Sequence, residues 1–429
     1  MSGIQLQDLD LTLEDVKTML RRHYELNGTK KCPKINEIVI RTLGDVPAGI
    51  MSSHFIITVT LEDVNENETT WSCFVKRTPK DDFGSKYAED LETFDKEGNI
   101  YQKLIPALQE IAKGRTPWTA VCYLTKGIDL IALDNLTLQG FVPSISGRLL
   151  DFDHLSVVMK ALARMNAASI ALEVKHSKPL TEIFPNLLRE NGYPTTNTPG
   201  YRQLGVQSFT KTVQHFVKLL SAEGKVKYEK FSTEELVEMV PKIMQELFEL
   251  VKPSTKFRNV FNQSDLWANN ILFKYENNEK VVDCRLVDFQ FSRYAPPMYD
   301  ICTLLLTSTP RKFKEDNVEA LLDLYFASLT NEMSIFGLQA EQYLTRKELS
   351  DSFKVYNKAA LIESLCFFQT IYLPEEKWSD LVKTPQTFED FVLNKHTEIC
   401  SKVFETHAGY RNKITEIIQE LLDVSLLSQ

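Results

Sequence analysis

Near residue 135 the chain changes from strand-rich to helix-rich, and this change limits the folds open to it. Runs of β-branched and aromatic residues dominate upstream, whereas apolar residues recur at helical spacing downstream. Strands are predicted at residues 38–40, 55–61, 71–76, 119–124 and 128–133. The pattern predicts an α+β protein: residues 1–135 form an antiparallel sheet with one long helix, and residues 136–429 form a mainly helical region.

Helical periodicity indicates where the helices of both parts lie. An N-terminal helix is predicted around Leu13–Leu20, and the long helix of the first part spans Asp90–Ile111. In the second part Asp151 or Asp153 can cap a helix, because a short acidic side chain accepts hydrogen bonds from the first free backbone N–H groups. Further helices are predicted over Phe209–Leu220, Glu234–Val251 and Val318–Leu329.

One hairpin interrupts the helical part. Its strands are predicted at Ile271–Tyr275 and Val281–Val287, and the polar residues Glu276–Glu279 form the turn. Asn270 comes just before the first strand and Asp288 just after the second. Because the two strands of a hairpin run in opposite directions, both side chains emerge at the same end of one rigid unit.

Composition and charge exclude several classes of protein. The formal net charge of −9 and a pI near 5.5 argue against nucleic acid as the main partner. The N-terminus lacks the cationic start and apolar core of a secretory signal, and no uninterrupted apolar run approaches the ~20 residues of a membrane span. The seven cysteines are scattered without a Cys-x-x-Cys pair, which predicts a reduced, cytoplasmic protein without a zinc site.

Two acidic runs flank the hairpin, and their residue types suggest a chemistry. Asp265 and Asn270 stand in the first run and Asp288 in the second. Two metal ions on a nucleotide's phosphates need a carboxylate and an amide oxygen, and a separate carboxylate must orient the hydroxyl that receives the phosphoryl group. Taken singly, each residue could equally be a helix cap or a hairpin end. Together they predict a nucleotide-dependent phosphotransferase.

The same stretches resemble a known family. The first run reads Gln263-Ser264-Asp265-Leu266-Trp267-Ala268-Asn269-Asn270, and a hairpin and then Asp288-Phe289-Gln290 follow it. These stretches are similar to the His-Gly-Asp-x-Trp-x-x-Asn and Asp-Phe-Gln motifs of the ecdysteroid kinase-like, or choline-kinase-like (CHK), family of insects. That family belongs to the protein-kinase-like superfamily with the aminoglycoside and choline kinases. Upstream, Phe74-Val75-Lys76 and Phe94-Asp95-Lys96-Glu97 resemble its lysine strand and glutamate helix. The resemblance implies a two-lobed protein-kinase-like fold.

It also implies roles for individual residues, with ATP and Mg²⁺ as cofactors. Lys76 would contact the nucleotide's phosphates, and Glu97 would hold the lysine through an ion pair. Asp288 and Asn270 would bind magnesium. Asp265 would accept a hydrogen bond from the substrate hydroxyl and orient it toward the terminal phosphorus. The N-lobe, residues 1–135, would bind the nucleotide, and residues 136–429 would carry the catalytic loop and the acceptor pocket.

Two parts of the nucleotide site are less distinct in the sequence. The segment from Ile131 to Asn135, with Leu133 and Asn135 as candidate contacts, would offer backbone hydrogen bonds to the base. The turn from Gly49 to Ser53 is the candidate cover for the phosphates, since no Gly-x-Gly-x-x-Gly or Walker-type motif occurs.

The chain departs from the family pattern at several positions, among them Asp134-Asn135, which replaces the usual Glu-Asp near the junction of the lobes. Gln263 and Ser264 replace the usual His and Gly, so the loop loses a bracing side chain and gains a side chain where positive φ is expected. Asn166 replaces another usual histidine. Asp300, downstream of the second acidic run, is expected to anchor loop backbone.

Three functions stay open from the sequence. The first is an ATP- and magnesium-dependent phosphotransferase acting on a hydroxyl of a small molecule, such as an ecdysteroid or another lipophilic alcohol. The second is a pseudokinase that binds nucleotide or ligand without efficient turnover, as Gln263 and Ser264 suggest. The third is a structural protein whose acidic motifs are caps. An acceptor pocket is expected from 140–205 and beyond Thr345, and neither a membrane span nor an obligate protein partner is predicted.

Overall fold

Two compact units make up the protein. The computed structural model describes residues 4–29, 32–43, 52–63, 65–80, 82–193, 201–277 and 279–426. The first unit comprises residues 1–142 and 272–290, and the second comprises residues 143–271 and 291–429. The assignment of nucleotide binding to residues 1–135 and of acceptor binding to residues 136–429 stays a prediction.

An antiparallel five-stranded sheet forms the centre of the first unit. Its strands are β1 (Lys34–Thr42), β2 (Ser53–Glu62), β3 (Glu68–Arg77), β4 (Cys122–Lys126) and β5 (Leu130–Asp134). They lie in the order β1-β2-β3-β5-β4, so β3 is central and pairs with both β2 and β5. The predicted α+β class and its antiparallel sheet are confirmed.

The helices of the first unit include the two that the pattern predicts and one short helix after β3 that it does not. They are α1 (Leu13–Leu26), α2 (Asp82–Asp90), α3 (Thr93–Asn99) and α4 (Ile105–Ile111), with a π-helical turn at Ile100–Leu104 between the last two. The predicted long helix is therefore present from Thr93 to Ile111. It begins after Glu92, whose left-handed backbone (φ 49°) separates it from α2.

One face of the sheet forms the apolar core of the first unit with α1. Thr12 caps α1 by accepting the backbone N–H of Asp15, whose carboxylate accepts the N–H of Thr12 in return. Helical spacing then places Val16, Met19 and Leu20 on one buried face against the sheet. This arrangement covers one side of β3 and leaves its alternate residues for the other side.

The second unit is mainly helical. Its helices are α5 (Phe152–His176), α6 (Leu180–Ile183), α7 (Tyr201–Ala222), α8 (Thr233–Gln245), α9 (Leu247–Leu250), α10 (Met298–Ser308), α11 (Arg311–Ile335), α12 (Arg346–Ile371), α13 (Glu375–Leu381), α14 (Pro385–Asp390), α15 (His396–Thr406) and α16 (Ala408–Leu426). The helix predicted over Glu234–Val251 is divided in two: α8 ends at Gln245, and α9 begins at Leu247.

Helix α5 is the central helix of this unit. Asp151, rather than Asp153, is its cap and accepts the backbone N–H of His154. By length and hydropathy alone α5 could cross a membrane, but 78% of its most apolar stretch is buried inside the protein. Burial on that scale is what the core helix of a globular unit shows, and α11 packs along it.

Short strands complete the fold around the two acidic runs. In the first unit β6 (Phe141–Val142) pairs with β8 (Ile271–Glu276), which forms the predicted hairpin with β9 (Lys280–Leu286). In the second unit β7 (Val260–Asn262) pairs with β10 (Arg293–Ala295). The pair β7/β10 fixes both ends of the sequence that leads into and out of the motif residues.

Candidate active site

A buried lysine with two carboxylate partners lies in the first unit. Lys76 Nζ lies 2.7 Å from Glu97 Oε2 and 2.8 Å from Asp288 Oδ1. It also lies 3.4 Å from Gln290 Oε1. The side chains of Lys76 and Glu97 are almost fully buried, whereas Asp288 remains 27% exposed. Three residues that are far apart in the sequence therefore form one charged cluster.

Strand alternation and helix position explain how the cluster forms. On β3 the side chains of Cys73 and Val75 enter the apolar core with α1, so Lys76 points to the opposite face of the sheet. Glu97 lies on α3, and its Oε1 accepts the backbone N–H of Phe289, 3.1 Å away. The glutamate thus holds both the lysine and the backbone next to Asp288.

Burial and charge act in opposite directions on the pKa of Lys76. Desolvation alone would lower that pKa, but the nearby negative charges of Asp288 and Glu97 outweigh it and raise the pKa above its usual value. Burial raises the pKa of Glu97, and the lysine's charge opposes that shift. The lysine is therefore held as an ammonium, the form that binds phosphate oxygens.

His54 is a neighbour of this cluster that the sequence did not reveal. It is the cross-strand partner of Lys76 on β2, and its Nε2 lies 2.9 Å from Ser52 Oγ. Burial, and then the positive charge of Lys76, lower its pKa to about 4. His54 is therefore neutral at physiological pH and adds no second positive charge next to the lysine. Only its register opposite Lys76 could have signalled it.

Asp288 adopts an uncommon backbone conformation. Its φ of 64° lies in the left-handed region, which Asp tolerates better than most residues with a side chain. Such conformations persist where the surrounding structure imposes them, and they concentrate at functional sites. Here the bonds from Lys76 to the carboxylate and from Phe289 N–H to Glu97 hold the segment in place.

The second unit carries the other two predicted residues, Asp265 and Asn270. The side-chain nitrogen of Asn270 donates to the backbone carbonyl of Asp265 at 2.8 Å and to its Oδ2 at 3.1 Å. Because the nitrogen makes both bonds, the amide oxygen of Asn270 stays available as a ligand. A carboxylate and an amide oxygen are the ligand types that Mg²⁺ accepts, so Asp288 and Asn270 each fit their predicted role chemically.

Asp300 braces the loop before Asp265. Its two carboxylate oxygens accept the backbone N–H groups of Gln263 and Ser264 at 2.8 and 2.7 Å. The expected anchoring role of Asp300 is thereby confirmed. Burial raises its pKa to about 7, although these two hydrogen bonds and the charge of Arg293 oppose the shift.

Gln263 replaces the usual histidine and nevertheless braces the loop. Its side-chain oxygen accepts the backbone N–H of Asp265 at 2.7 Å. Ser264 takes the left-handed backbone expected of the usual glycine, with φ at 67°, and its buried hydroxyl has no hydrogen-bond partner among the residues that the structure describes. The loop therefore keeps a bracing hydrogen bond at Gln263, whereas the backbone strain and the unpaired hydroxyl of Ser264 lower the stability of the folded protein.

Two further supports were not visible in the sequence. Asn166, on α5, donates to the carbonyl of Phe261 and accepts from the Tyr325 hydroxyl, so an amide fills the place of the family's usual histidine. Arg293 donates to the carbonyl of Ser264 and pairs with Glu190. Each depends on long-range packing that no local motif encodes.

The remaining predicted contacts fall into three groups. Asn135 caps a short 3₁₀ helix by accepting the N–H of Thr137, and its side-chain nitrogen donates to Ser72 Oγ. Leu133 lies on β5 opposite Phe74 of β3. Ser53 opens β2, and Gly49 lies outside the described residues. Nucleotide contacts at these four positions stay predictions.

Comparison with known proteins agrees with the motif reading. A model of the ecdysteroid kinase-like family matches residues 48–338, more than half of the chain. The chain belongs to the ecdysteroid kinase-like family. The matched range contains Lys76, Glu97, Asp265, Asn270 and Asp288, and the predicted resemblance is confirmed. A search among curated proteins gave no significant match.

Proposed function

We propose that this ecdysteroid kinase-like protein transfers the terminal phosphoryl group of ATP, with Mg²⁺, to a hydroxyl of a small molecule. The observation that carries the proposal is the buried cluster in which Lys76 lies within 2.8 Å of Glu97 and Asp288. A buried ammonium held by two carboxylates at a kinase family's lysine position is what phosphate binding requires. An ecdysteroid or another lipophilic alcohol is the candidate acceptor.

Each residue of this chain would have a defined task. Lys76 would hold the phosphate oxygens, and Asp288 and Asn270 would hold magnesium, which when bound neutralises charge on the phosphates. Asp265 would accept a hydrogen bond from the acceptor hydroxyl and orient it. The hydroxyl oxygen then bonds to phosphorus while the bond to the departing ADP oxygen breaks, and the hydroxyl proton passes late to Asp265.

The bracing at Gln263 favours a working enzyme over a pseudokinase. The Gln263 side chain gives the N–H of Asp265 an acceptor at 2.7 Å, so the loop that orients Asp265 keeps a brace although the usual histidine is absent. Asp300 and Arg293 add further contacts to the same loop backbone. A cytoplasmic location, and a mode of action without nucleic acid, membrane span or obligate protein partner, remain part of the proposal.

A turnover assay tests the proposal. Purified protein is given ATP with and without Mg²⁺ across a panel of steroid, choline-like and xenobiotic alcohols, and ADP and phosphorylated product are both measured. We expect magnesium-dependent product with at least one alcohol. Asp265→Asn should lower kcat by about 10²–10⁴-fold while nucleotide affinity is retained. Asp316→Asn, on the exposed side of α11, is the matched control and should match the parent protein.

Two other outcomes separate the alternatives. Nucleotide binding that is weakened by Lys76→Met, without turnover on any alcohol, would identify a pseudokinase. No nucleotide binding by the parent protein would identify a structural protein. Lys126→Met is the control for Lys76→Met, because Lys126 is also an ion-paired lysine of the same sheet but has no predicted role.

A further inference from the structure

A small cavity lies next to Asp265 within the second unit. The cavity is partly open to solvent, and about 320 Å³ of space that no atom fills lies between its walls and at its mouth. Helices α10 and α12 form most of its wall. The lining residues are Asp265, Trp267, Thr303, Thr307, Glu363, Ser364, Phe367 and Ile371. Its α12 wall lies beyond Thr345, in a part of the chain from which an acceptor pocket is expected.

Three of the four polar side chains on the helical wall already have hydrogen-bond partners. Thr303 and Thr307 donate their hydroxyl hydrogens to backbone carbonyls of their own helix, those of Tyr299 and Leu304. Glu363 accepts the Tyr299 hydroxyl at 2.8 Å and lies 3.6 Å from Arg293 Nη1. These groups can accept weakly from a ligand, but they have no hydrogen left to donate.

Ser364 is the exception on this wall. Its side chain is only 2% exposed, and within the described residues its hydroxyl has no hydrogen-bond partner. A serine in the middle of a helix usually donates back to the carbonyl one turn earlier. A buried hydroxyl without a partner costs about 1–3 kcal/mol. Because Ser364 lines the cavity, a ligand bound there is a candidate partner for this hydroxyl.

We propose that the Ser364 hydroxyl donates a hydrogen bond to a second oxygen of the acceptor, remote from the hydroxyl that is phosphorylated. This inference rests on the proposed function and names the acceptor class: a compact alcohol that carries a second hydroxyl or a carbonyl on an apolar frame. Phe367 and Ile371 lie on the same helix one and two turns beyond Ser364 and would contact that frame. Ser364 also lies outside the family match at residues 48–338.

Matched pairs of acceptors test the inference. The probes are cyclohexylmethanol with 1,4-cyclohexanedimethanol and with 4-(hydroxymethyl)cyclohexanone, and 1-adamantanemethanol with its 3-hydroxy derivative. In the parent protein at least one two-oxygen member should exceed its single-oxygen partner in kcat/KM by about three- to tenfold, the effect of one neutral hydrogen bond. Ser364→Ala should abolish that preference through a higher KM with little change in kcat.

The control is Ser425→Ala, which removes another buried serine hydroxyl that has no partner in the described part of the chain and lies far from the cavity lining in sequence. It should keep the preference of the parent protein. The inference is overturned if no pair shows a preference, or if the preference survives in Ser364→Ala. A crystal soaked with the preferred probe that shows an ordered water only at the Ser364 hydroxyl would also overturn it.

Calorimetry can measure how the same probes bind to the protein without nucleotide. This measurement tests the acceptor site separately from the proposed phosphoryl transfer. If Ser364-dependent binding is found but no phosphoryl transfer, the acceptor site stands and the proposed activity fails. If transfer proceeds with no dependence on Ser364, the activity stands and the inference fails.

Discussion

The two groups of predicted catalytic residues are held in place by different forces. In the first unit, Lys76 is fixed by charge, through ion pairs with Glu97 and Asp288 in an almost fully buried setting. In the second unit, the loop before Asp265 is fixed by hydrogen bonds to its backbone, from Asp300 and Gln263. Charge balance restricts residue identity strictly, whereas a backbone N–H can donate a hydrogen bond to any well-placed oxygen.

This difference explains where the chain keeps the family pattern and where it departs from it. Lys76, Glu97 and Asp288 match the family's residue types, since replacing any of them would leave a buried charge without its counterpart. Gln263 replaces a histidine, and its amide oxygen still reaches a backbone N–H. The following predictions test the contrast, beginning with the largest effect.

Removal of the lysine should cost far more stability than removal of its glutamate partner. Lys76→Met leaves Glu97 and Asp288 as two carboxylates without a cation and should lower the free energy of unfolding by about 3–5 kcal/mol. Glu97→Gln leaves the pair of Lys76 with Asp288 intact and should cost only about 1–2 kcal/mol. Urea unfolding measures both, and equal losses would contradict a charge-fixed cluster.

Asp300 should make stability depend on pH. Because burial raises its pKa to about 7 in the folded state, its contribution is complete below about pH 4 and is lost as the pH rises through about 7. Relative to Asp300→Asn, the parent protein should therefore lose roughly 2–4 kcal/mol between these limits. Arg293 and Glu363 are the charged groups that act on Asp300, with opposite signs.

Unfolding free energies of the two proteins, measured at half-unit steps of pH, check this prediction. A constant difference between parent and Asp300→Asn across pH 4–8 would mean that Asp300 stays ionised in the folded protein.

Loss of the Gln263 brace should affect turnover more than stability. Gln263→Ala removes the acceptor for the N–H of Asp265 and should lower kcat by about three- to thirtyfold, with the KM for ATP little changed. Gln263→His, the family's usual residue, should retain more activity than the alanine variant. Steady-state kinetics on an accepted alcohol would decide, and an unchanged kcat in Gln263→Ala would show that Asp300 alone suffices.

The smallest expected effect is a gain in stability when Ser264 is replaced by glycine. Two features of Ser264 destabilise the folded protein: its left-handed backbone (φ 67°), and its buried hydroxyl, which has no partner within the described residues. Ser264→Gly removes both costs and should raise the free energy of unfolding by up to about 1 kcal/mol. Ser156→Gly, within α5, should instead lower it by about 0.5–1 kcal/mol. A loss in both variants would contradict the assigned cost at Ser264.

Local patterns predicted most of the fold. Strand alternation gave all five strands of the main sheet, and the turn residues of 276–279 gave the hairpin, because both signals lie within a few neighbouring residues. The break between α8 and α9 and the π-helical turn at Ile100–Leu104 were missed. Both leave the apolar periodicity almost unchanged. The available signals were Pro241, inside α8, and Pro106, at the start of α4, because proline disturbs regular helix geometry.

The sequence predicted the residues of the candidate site, but it did not predict the contacts that hold those residues in place. Lys76, Glu97 and Asp288 could be found because each stands in a motif. The contacts of Arg293 and His54 could not be predicted, since they depend on strand register and helix packing between segments that are distant in sequence. Gly49 lies outside the described residues, so the phosphate-covering turn stays a prediction.

The raised pKa of Lys76 has a consequence for the kinetics. A lysine that stays an ammonium well beyond its usual range presents the same charge to a nucleotide at every pH at which the protein is folded and active. The titration of Lys76 then contributes nothing to the shape of a pH–rate profile below about pH 10. Any limb that such a profile shows in that range must come from other groups, such as the nucleotide, the acceptor or the loop around Asp265.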